Sequence, residues 1–415
     1  MFVKGTADYY MRIARHDWIK KRISGEKPSC VVIKVTEDCN LRCKYCYTEG
    51  GKRKNTISVS TVLKLFDQLV VDNSNDIDCV FHGGEPLLHI DLIEEIIRSL
   101  NNRYYGPRIS YKVQTNATLI SEEIIALINK YNIDIGISLD GYKEINDLTR
   151  VTPAGSSSFQ MVEKGIQKLQ SNNILFGVLC LITKHNVNHI TDILEWFKVM
   201  GIDRFGFTTF TPLGYGKEED LAPDIHQLCT NVIKEINWLV EHNFQEMRST
   251  KRYMYEREVE ALLVRILRPE KCAFMCTDIP CGAGIRHIGM DVNGNINICD
   301  CFYGMDEYIL GNICTDTLDE ILANQLINRF ASRNLKNIDG CCKCDINSIC
   351  HGGCPSHNIL FRGENGLYTK NYKCEFYYTV YNYLLQLLDN KVDPACIAEM
   401  FLSDEVNING EVLKK

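Results

Sequence analysis

Between Val31 and Phe210, short apolar runs alternate with stretches whose apolar residues recur at helical spacing. The runs Val31–Val35, Ile77–Phe81, Ile109–Val113, Ile133–Leu139, Leu175–Leu181 and Phe205–Phe210 read as six strands. Stretches near 58–71, 87–101, 121–131, 158–171 and 186–200 read as the helices between them. This alternation predicts βαβ units and a parallel sheet. Six units predict an α/β fold built on a partial (β/α)6 barrel. In barrel-like parallel sheets, sites form at the C-terminal ends of the strands.

The pattern changes outside that region. Residues 1–30 carry seven basic against three acidic side chains, interleaved with Tyr9, Tyr10, Met11, Ile13, Trp18 and Ile19. They predict an amphipathic helical extension whose basic face lies in water or meets an acidic partner. Two helices are expected around 223–243 and 252–268. From residue 271 onward lie thirteen of the 20 cysteines. The expected division is a helical extension (1–30), the partial barrel (31–215), a helical bridge (216–270), a small cysteine-rich α+β domain (271–376), and a C-terminal helix and tail (377–415).

Composition excludes several classes. Hydrophobic content of 45% and charged content of 24% are ordinary globular values, and a net charge of −7 gives no sign of nucleic-acid binding. The chain does not open with a charged start followed by an apolar core. No run of about 18 apolar residues predicts a membrane span. The expectation is a cytoplasmic protein, and there clustered cysteines are metal ligands rather than disulfides.

The chemistry begins at the exit of the first strand, where Cys39, Cys43 and Cys46 form a C-x3-C-x2-C loop. Three thiolates on so tight a loop can ligate three irons of a [4Fe–4S] cube and leave the fourth open, although such clusters are usually held by four cysteines. The competing reading is half of a zinc site, which would need a second pair of ligands. With Tyr45 just before the last cysteine, the loop resembles the signature of the radical SAM family. The resemblance implies that the open iron is chelated by S-adenosylmethionine, whose reductive cleavage frees a hydrogen-abstracting 5′-deoxyadenosyl radical. The protein then supplies binding, orientation and shielding.

The other strand exits carry segments similar to that family's cofactor motifs. After the second strand comes His82-Gly83-Gly84-Glu85-Pro86. The resemblance implies that Gly83, Gly84 and Glu85 meet the methionyl amino group, since glycines admit close backbone approach. After the third comes Gln114-Thr115-Asn116-Ala117, where the family usually has Thr-Asn-Gly. Thr115 and Asn116 keep the hydroxyl and amide, but Ala117 departs from the pattern. After the fourth come Ser138, Asp140 and, in the next turn, Arg150. In relatives the Ser and Asp lie at the ribose and the Arg pairs with the carboxylate, as a guanidinium fork suits. A helix cap or turn is the plainer role for Ser138 and Asp140.

Seven of the later cysteines fit one pattern. Cys281 and Cys299 flank Gly294, and Cys341, Cys344, Cys350, Cys354 and Cys374 follow Gly340. This resembles the SPASM extension of radical SAM enzymes, which implies two auxiliary [4Fe–4S] clusters and three in all. Following the family, Cys341, Cys344, Cys350 and Cys374 hold the distal cluster, and Cys281, Cys299 and Cys354 the nearer one. Its fourth ligand is Cys276, Cys272 or a substrate thiol, with Cys276 favoured. Asp291-Val292-Asn293-Gly294-Asn295 reads as a hairpin turn that brings Cys281 and Cys299 together. Asp300, next to Cys299, stands where sulfatase-maturating relatives have an Asp thought to deprotonate the substrate. A dry pocket would give it the raised pKa of a general base. Cys301, Cys314, Cys342 and Cys396 have no slot in the pattern.

The resulting expectation is a radical SAM oxidoreductase acting on a residue of a peptide or protein. The leading substrate is a ribosomally made precursor peptide, giving a thioether, another crosslink or an epimer. The alternative is an anaerobic sulfatase-maturating enzyme that oxidises Cys or Ser to formylglycine. A flavodoxin or ferredoxin is the expected electron donor. A multi-cluster electron carrier is the rival of another class, but it has no need of a nucleoside-sized pocket. A small-molecule substrate rests on analogy of fold alone.

Overall fold

The computed structural model describes residues 27–71, 76–104, 108–269, 276, 279–389 and 393–402. The amphipathic extension expected at 1–30 lies almost wholly outside them, as do Cys272 and the end of the tail.

The six expected strands all form: β1 (Cys30–Thr36), β2 (Ile77–Gly83), β3 (Ile109–Thr115), β4 (Asp134–Ser138), β5 (Phe176–Ile182) and β6 (Arg204–Thr209). Each pairs in parallel with the next. The helices between them are α1 (Val59–Leu69), α2 (Ile90–Arg103), α3 (Glu122–Tyr131), α4 (Phe159–Ser171) and α5 (Ile190–Val199). Capping fixes where they start: Ser58 accepts from Thr61 N ahead of α1, and Ser121 from Ile124 N ahead of α3. Each helix buries one apolar stripe, as α1 does with Val62, Leu65, Phe66 and Leu69. Along β3, Tyr111, Val113 and Thr115 are buried while Lys112 and Gln114 are not fully so. That period of two separates a face packed under helices from a face turned to the barrel lumen.

The bridge contains α6 (Ile225–Met247), the two-residue strand β7 (Tyr255–Glu256), which pairs in parallel with β6, and α7 (Arg257–Leu267). The cysteine-rich region does not build a sheet of its own. Its strands β8 (His287–Met290), β9 (Asn295–Asn297) and β10 (Ile309–Asn312) extend the barrel sheet, giving the order β10-β9-β8-β1-β2-β3-β4-β5-β6-β7. β8 lies parallel to β1, with Cys30 opposite His287 and Ile33 opposite Met290. The sheet stays open, as a partial barrel does. The expected hairpin joins β8 to β9: Asp291 Oδ1 accepts from the backbone of Asn293 and Asn295, and Gly294 takes φ +84°. A Cβ on Gly294 would meet Cys314 Sγ at 3.0 Å.

The helices that follow include α8 (Gln325–Ala331), α9 (Cys374–Asp389) and α10 (Pro394–Phe401). The tail is less loose than its composition suggests, because α10 buries Ile397, Met400 and Phe401 and Asn243 Nδ2 donates to Met400 O at 3.1 Å. Among the described residues, no helix is long and apolar enough to cross a membrane.

Candidate active site

The cysteine loop leaves β1 at the C-terminal edge of the sheet and is held by its own backbone. Arg42 NH1 donates to the carbonyls of Cys39 and Leu41 at 2.7 Å each, and NH2 to Gly51 O. Cys39 Sγ accepts from Leu41 N and Cys46 Sγ from Gly50 N, at 3.4 and 3.3 Å. A Cβ on Gly50 would touch both Cys39 Cβ and Cys46 Sγ, so these two side chains converge. Burial pushes the Cys39 and Cys43 thiols up to about 12. Such thiols ionise only against a strong cation, as metal ligation demands. This donor set suits an iron–sulfur cluster.

The Gly-Gly-Glu-Pro turn packs directly under this loop. A Cβ on Gly83 would meet Thr36 O at 2.4 Å and one on Gly84 would meet Asp38 O at 2.0 Å. Both glycines are therefore required by the chain's own backbone, whatever else approaches them. Glu85 is buried and fully engaged: it accepts from Thr115 Oγ1 at 2.7 Å, Asn116 N at 2.8 Å and Leu87 N at 3.0 Å. Burial raises its pKa, and these three donors oppose the rise. Asn116 Nδ2 reaches Asn40 Oδ1 in the cysteine loop at 2.9 Å. Ala117, where a glycine was expected, still takes the left-handed turn at φ +58°. For a residue with a Cβ that conformation costs about 1–2 kcal/mol.

A second hydrogen-bonded group faces the loop from β4. Tyr45 Oη donates to Asp140 Oδ2 at 2.6 Å and accepts from Arg150 NH1 at 2.5 Å. Asp140 also accepts from Thr149 Oγ1 at 2.8 Å and Leu181 N at 3.2 Å. Its carboxylate thus organises Tyr45 and Arg150 within the chain. Ser138 Oγ accepts from Gln114 Nε2 at 2.9 Å. Arg150 is buried, and its Nε has no hydrogen-bond partner among the described residues. An orphaned buried guanidinium N–H is what a ligand carboxylate would satisfy.

The second cysteine field forms two groups. Cys341, Cys344, Cys350 and Cys374 together line a recess of about 690 Å³. In the other group, burial and then Cys281 push the Cys354 thiol up to about 12, with Cys299 also contributing. Cys276 is exposed by surface area, yet burial and then Cys354, Cys299 and Cys281 raise its thiol. A fifth sulfur joins this group: Cys301 interacts with Cys299, Cys354 and Cys276, and its Sγ lies 3.9 Å from His357 Nε2. The sequence pattern offered no slot for it.

Between the loop and this field runs a polar network that the motifs did not indicate. Lys34, buried in the middle of β1, hydrogen-bonds Tyr47 Oη, and its Nζ lies 4.4 Å from the Tyr47 ring centroid and 5.3 Å from that of Tyr303. Burial lowers its pKa to about 8, partly offset by Asp300. Burial likewise takes His82 down to about 3. Asp300 Oδ1 lies 2.9 Å from His287 Nε2, and His287, Cys299 and Asp300 present ligand atoms within 4.8 Å of one another. Burial pushes Asp300 up, but the hydrogen bond and charge of His287, then Lys34 and His82, hold it well below the usual carboxylate range. The raised pKa expected of a dry pocket therefore does not arise, because the hydrogen bond and charge of His287 outweigh burial, and the same hydrogen bond raises His287 above its usual value although burial lowers it. Beside Asp300, a lone lysine inside the apolar run Val31–Val35 is the signal in the sequence that points to this network.

The open, mostly parallel sheet, the three-thiol loop at its C-terminal edge and the two further cysteine groups define an iron–sulfur enzyme of the radical type. A family model described as the radical SAM superfamily matches residues 33–197, and one described as an iron–sulfur cluster-binding domain, SPASM, matches 281–345. The chain belongs to the radical SAM superfamily and carries a SPASM domain. It is 25% identical over 376 residues to the cysteine-type anaerobic sulfatase-maturating enzyme of Clostridium perfringens, covering 88% of this chain and 98% of that one. Its fold is similar to that of native anSMEcpe with bound AdoMet, with a TM-score of 0.76, 23% identity, and coverage of 88% and 99%. It also resembles Streptococcus suis SuiB bound to its precursor peptide SuiA, with a TM-score of 0.63, 19% identity, and coverage of 88% and 79%.

Proposed function

We propose that the chain oxidises a Cys or Ser side chain of a peptide or protein substrate, in the manner of a sulfatase-maturating enzyme, with Asp300 as the proton acceptor. The observation that carries this reading is the position of Asp300, adjoining Cys299 and 2.9 Å from His287, whose hydrogen bond and charge keep the carboxylate ionised and so open to a proton, although a weak base. When bound, the cofactor and clusters supply a hydrogen-abstracting 5′-deoxyadenosyl radical and an acceptor for one electron. Arg150 Nε and NH1 would hold the cofactor's carboxylate, and the Glu85, Thr115 and Asn116 group its amino end. Ser138 and Asp140 would meet its ribose. Cys39, Cys43 and Cys46 hold the cluster that binds it. Cys276, Cys281, Cys299 and Cys354 hold the nearer auxiliary cluster, and Cys341, Cys344, Cys350 and Cys374 the distal one. A Cβ hydrogen leaves first; Asp300 then takes the thiol or hydroxyl proton as one electron leaves, so that the side chain becomes a carbonyl or a thiocarbonyl, and water hydrolyses the thiocarbonyl to the aldehyde with release of hydrogen sulfide. A flavodoxin or ferredoxin would serve as donor.

Modification of a precursor peptide uses the same hydrogen abstraction and differs in the bond the substrate then makes. The mutual influence of Cys276, Cys281, Cys299 and Cys354 supports oxidation, because four sulfurs of the chain at one cluster would leave no open iron for a substrate thiol. The test is anaerobic turnover with S-adenosylmethionine on two peptides, one from a sulfatase bearing Cys or Ser and one short and cysteine-rich. Oxidation predicts a hydrazide-reactive aldehyde with loss of the Cys sulfur. A crosslink that retains the sulfur, with no aldehyde, would replace this reading with the precursor-peptide one.

A further inference from the structure

Arg333, just beyond α8, is fully buried and among the largest side chains in the interior. Its Nε donates to Leu367 O at 3.1 Å and its NH2 to Gly352 O at 2.8 Å, while NH1 is buried with no hydrogen-bond partner. No carboxylate forms an ion pair with it among the described residues. A guanidinium removed from water needs a counter-charge, since an unpaired buried ion is strongly disfavoured.

The carbonyl it binds identifies that counter-charge. Gly352 lies in Cys350-His351-Gly352-Gly353-Cys354, the short link between the two auxiliary cysteine groups. Cys350 belongs to one group and Cys354 to the other. Gly352 takes φ +77°, and a Cβ there would meet Arg333 NH2 at 3.0 Å and Cys341 Sγ at 3.7 Å. The guanidinium and the Cys341 sulfur therefore flank one point of this link. Burial pushes Arg333 below its usual range, and the charges that pull it back are those of Cys281 and Cys354 from the nearer group and Cys341 and Cys350 from the distal one. A second buried arginine, Arg265, stands behind the link, with NH1 donating to His351 Nδ1 at 2.5 Å.

We propose that Arg333 is an electrostatic bridge between the two auxiliary sites, its permanent charge raising the reduction potential of the clusters they hold. A cluster gains negative charge on reduction, and net charge and hydrogen bonds to the sulfurs set its potential. A fixed cation thus favours the reduced form and makes both clusters better acceptors for an electron leaving the substrate. Arg333 acts through the clusters and touches no substrate. This rests on the reading that both cysteine groups hold clusters.

Redox titration followed by electron paramagnetic resonance, with iron and sulfide counted on the same samples, tests it in the full-length enzyme. Arg333→Gln keeps a donor for one of the two carbonyls but removes the charge. It should shift the reduction equilibrium of at least one auxiliary cluster tenfold or more toward the oxidised form, a potential lower by about 59 mV for one electron. Arg333→Lys keeps the charge and should stay within threefold of wild type. If Arg333→Gln loses auxiliary iron while Arg333→Lys keeps it at wild-type potentials, the charge requirement stands. Full clusters with unchanged potentials in Arg333→Gln, or equal shifts in both variants, would overturn the role of Arg333. Wild-type protein with a single four-iron cluster would overturn the cluster reading beneath it.

Discussion

Tyr45 Oη donates to Asp140 Oδ2 across 2.6 Å, tying the residue before the third loop cysteine to the end of β4. Arg150 NH1 donates to the same hydroxyl at 2.5 Å, so the tyrosine relays the position of the carboxylate to the guanidinium. Tyr45→Phe removes both bonds and leaves Arg150 to find its own orientation. Hydrogen bonds to charged groups contribute about 1.5–3 kcal/mol. Affinity for S-adenosylmethionine, measured by anaerobic calorimetry, should fall about tenfold or more with the iron content unchanged. Affinity equal to wild type would make Tyr45 a packing residue.

Metal content follows from the thiol groups. Three four-iron clusters give about twelve irons per reconstituted chain. Replacing Cys39, Cys43 and Cys46 together by Ala should remove about four irons and abolish cofactor cleavage, while the auxiliary sites stay filled. A triple variant that still releases 5′-deoxyadenosine would refute the assignment of the loop.

Stability should depend on pH through a buried acidic pair. Glu235 Oε1 is buried without a hydrogen-bond partner among the described residues. Burial, then Glu256 and Glu258, push Glu235 well above the usual 4.5, and burial and Glu258 bring Glu256 to about 7. A carboxyl whose pKa is raised on folding binds its proton more tightly in the folded state. Its contribution is therefore present at low pH and lost as pH rises from the unfolded value through the folded one. That window opens near 4.5 and runs through about 7 for Glu256. Glu235→Gln cannot ionise. It should match wild type at low pH and unfold at a higher temperature than wild type at the alkaline end. A variant less stable than wild type at both ends would show that the protonated carboxyl makes a contact the amide cannot replace.

The strands, the loop and the auxiliary cysteines were legible because each rests on local spacing. A largely apolar run of five to seven residues between helical stretches can hardly be other than a strand here, and β1 to β6 each begin within one residue of the expected start. What spacing could not reveal is contact between distant segments. The parallel pairing of β8 with β1 places His287 and Asp300 near Lys34, although more than 250 residues separate them in sequence. Arg333 was invisible for the same reason, since its partners are two backbone carbonyls at 352 and 367. The Gly-Gly turn was read for its closeness to a ligand, whereas Thr36 O and Asp38 O already fill the space a Cβ would need. Ala117 shows the converse: a missing glycine did not change the turn, because the surrounding fold holds the left-handed conformation.

The pair Asp300 and His287 separates a catalytic role from a structural one. Asp300→Asn keeps the shape and can still hydrogen-bond His287, but it takes no proton. On the proposed assignment cofactor cleavage uses the loop cysteines, Glu85 and Arg150, so uncoupled 5′-deoxyadenosine should still form. Product per fully loaded enzyme should drop by about 10²–10⁴, the usual contribution of a positioned base. Hydrogen from labelled substrate would still reach 5′-deoxyadenosine, because abstraction precedes the lost step. His287→Gln tests the other partner. The amide still donates to Asp300 and keeps it oriented, but the charge that holds the carboxylate below its usual range is gone. Asp300 should then protonate at a higher pH than in wild type, and product formation should fall off sooner as the solution is made acidic. At neutral pH the loss in His287→Gln should be smaller than in Asp300→Asn. The measurement is product per three-cluster enzyme across pH, with the cofactor cleavage rate alongside. If Asp300 only closes the turn after Cys299, both variants should instead lose auxiliary iron, with product falling in proportion to the enzyme left intact. Turnover equal to wild type in Asp300→Asn would remove the base altogether. It would also favour precursor-peptide chemistry over oxidation to the aldehyde, since a thiol bound to a cluster iron stays deprotonated without a carboxylate.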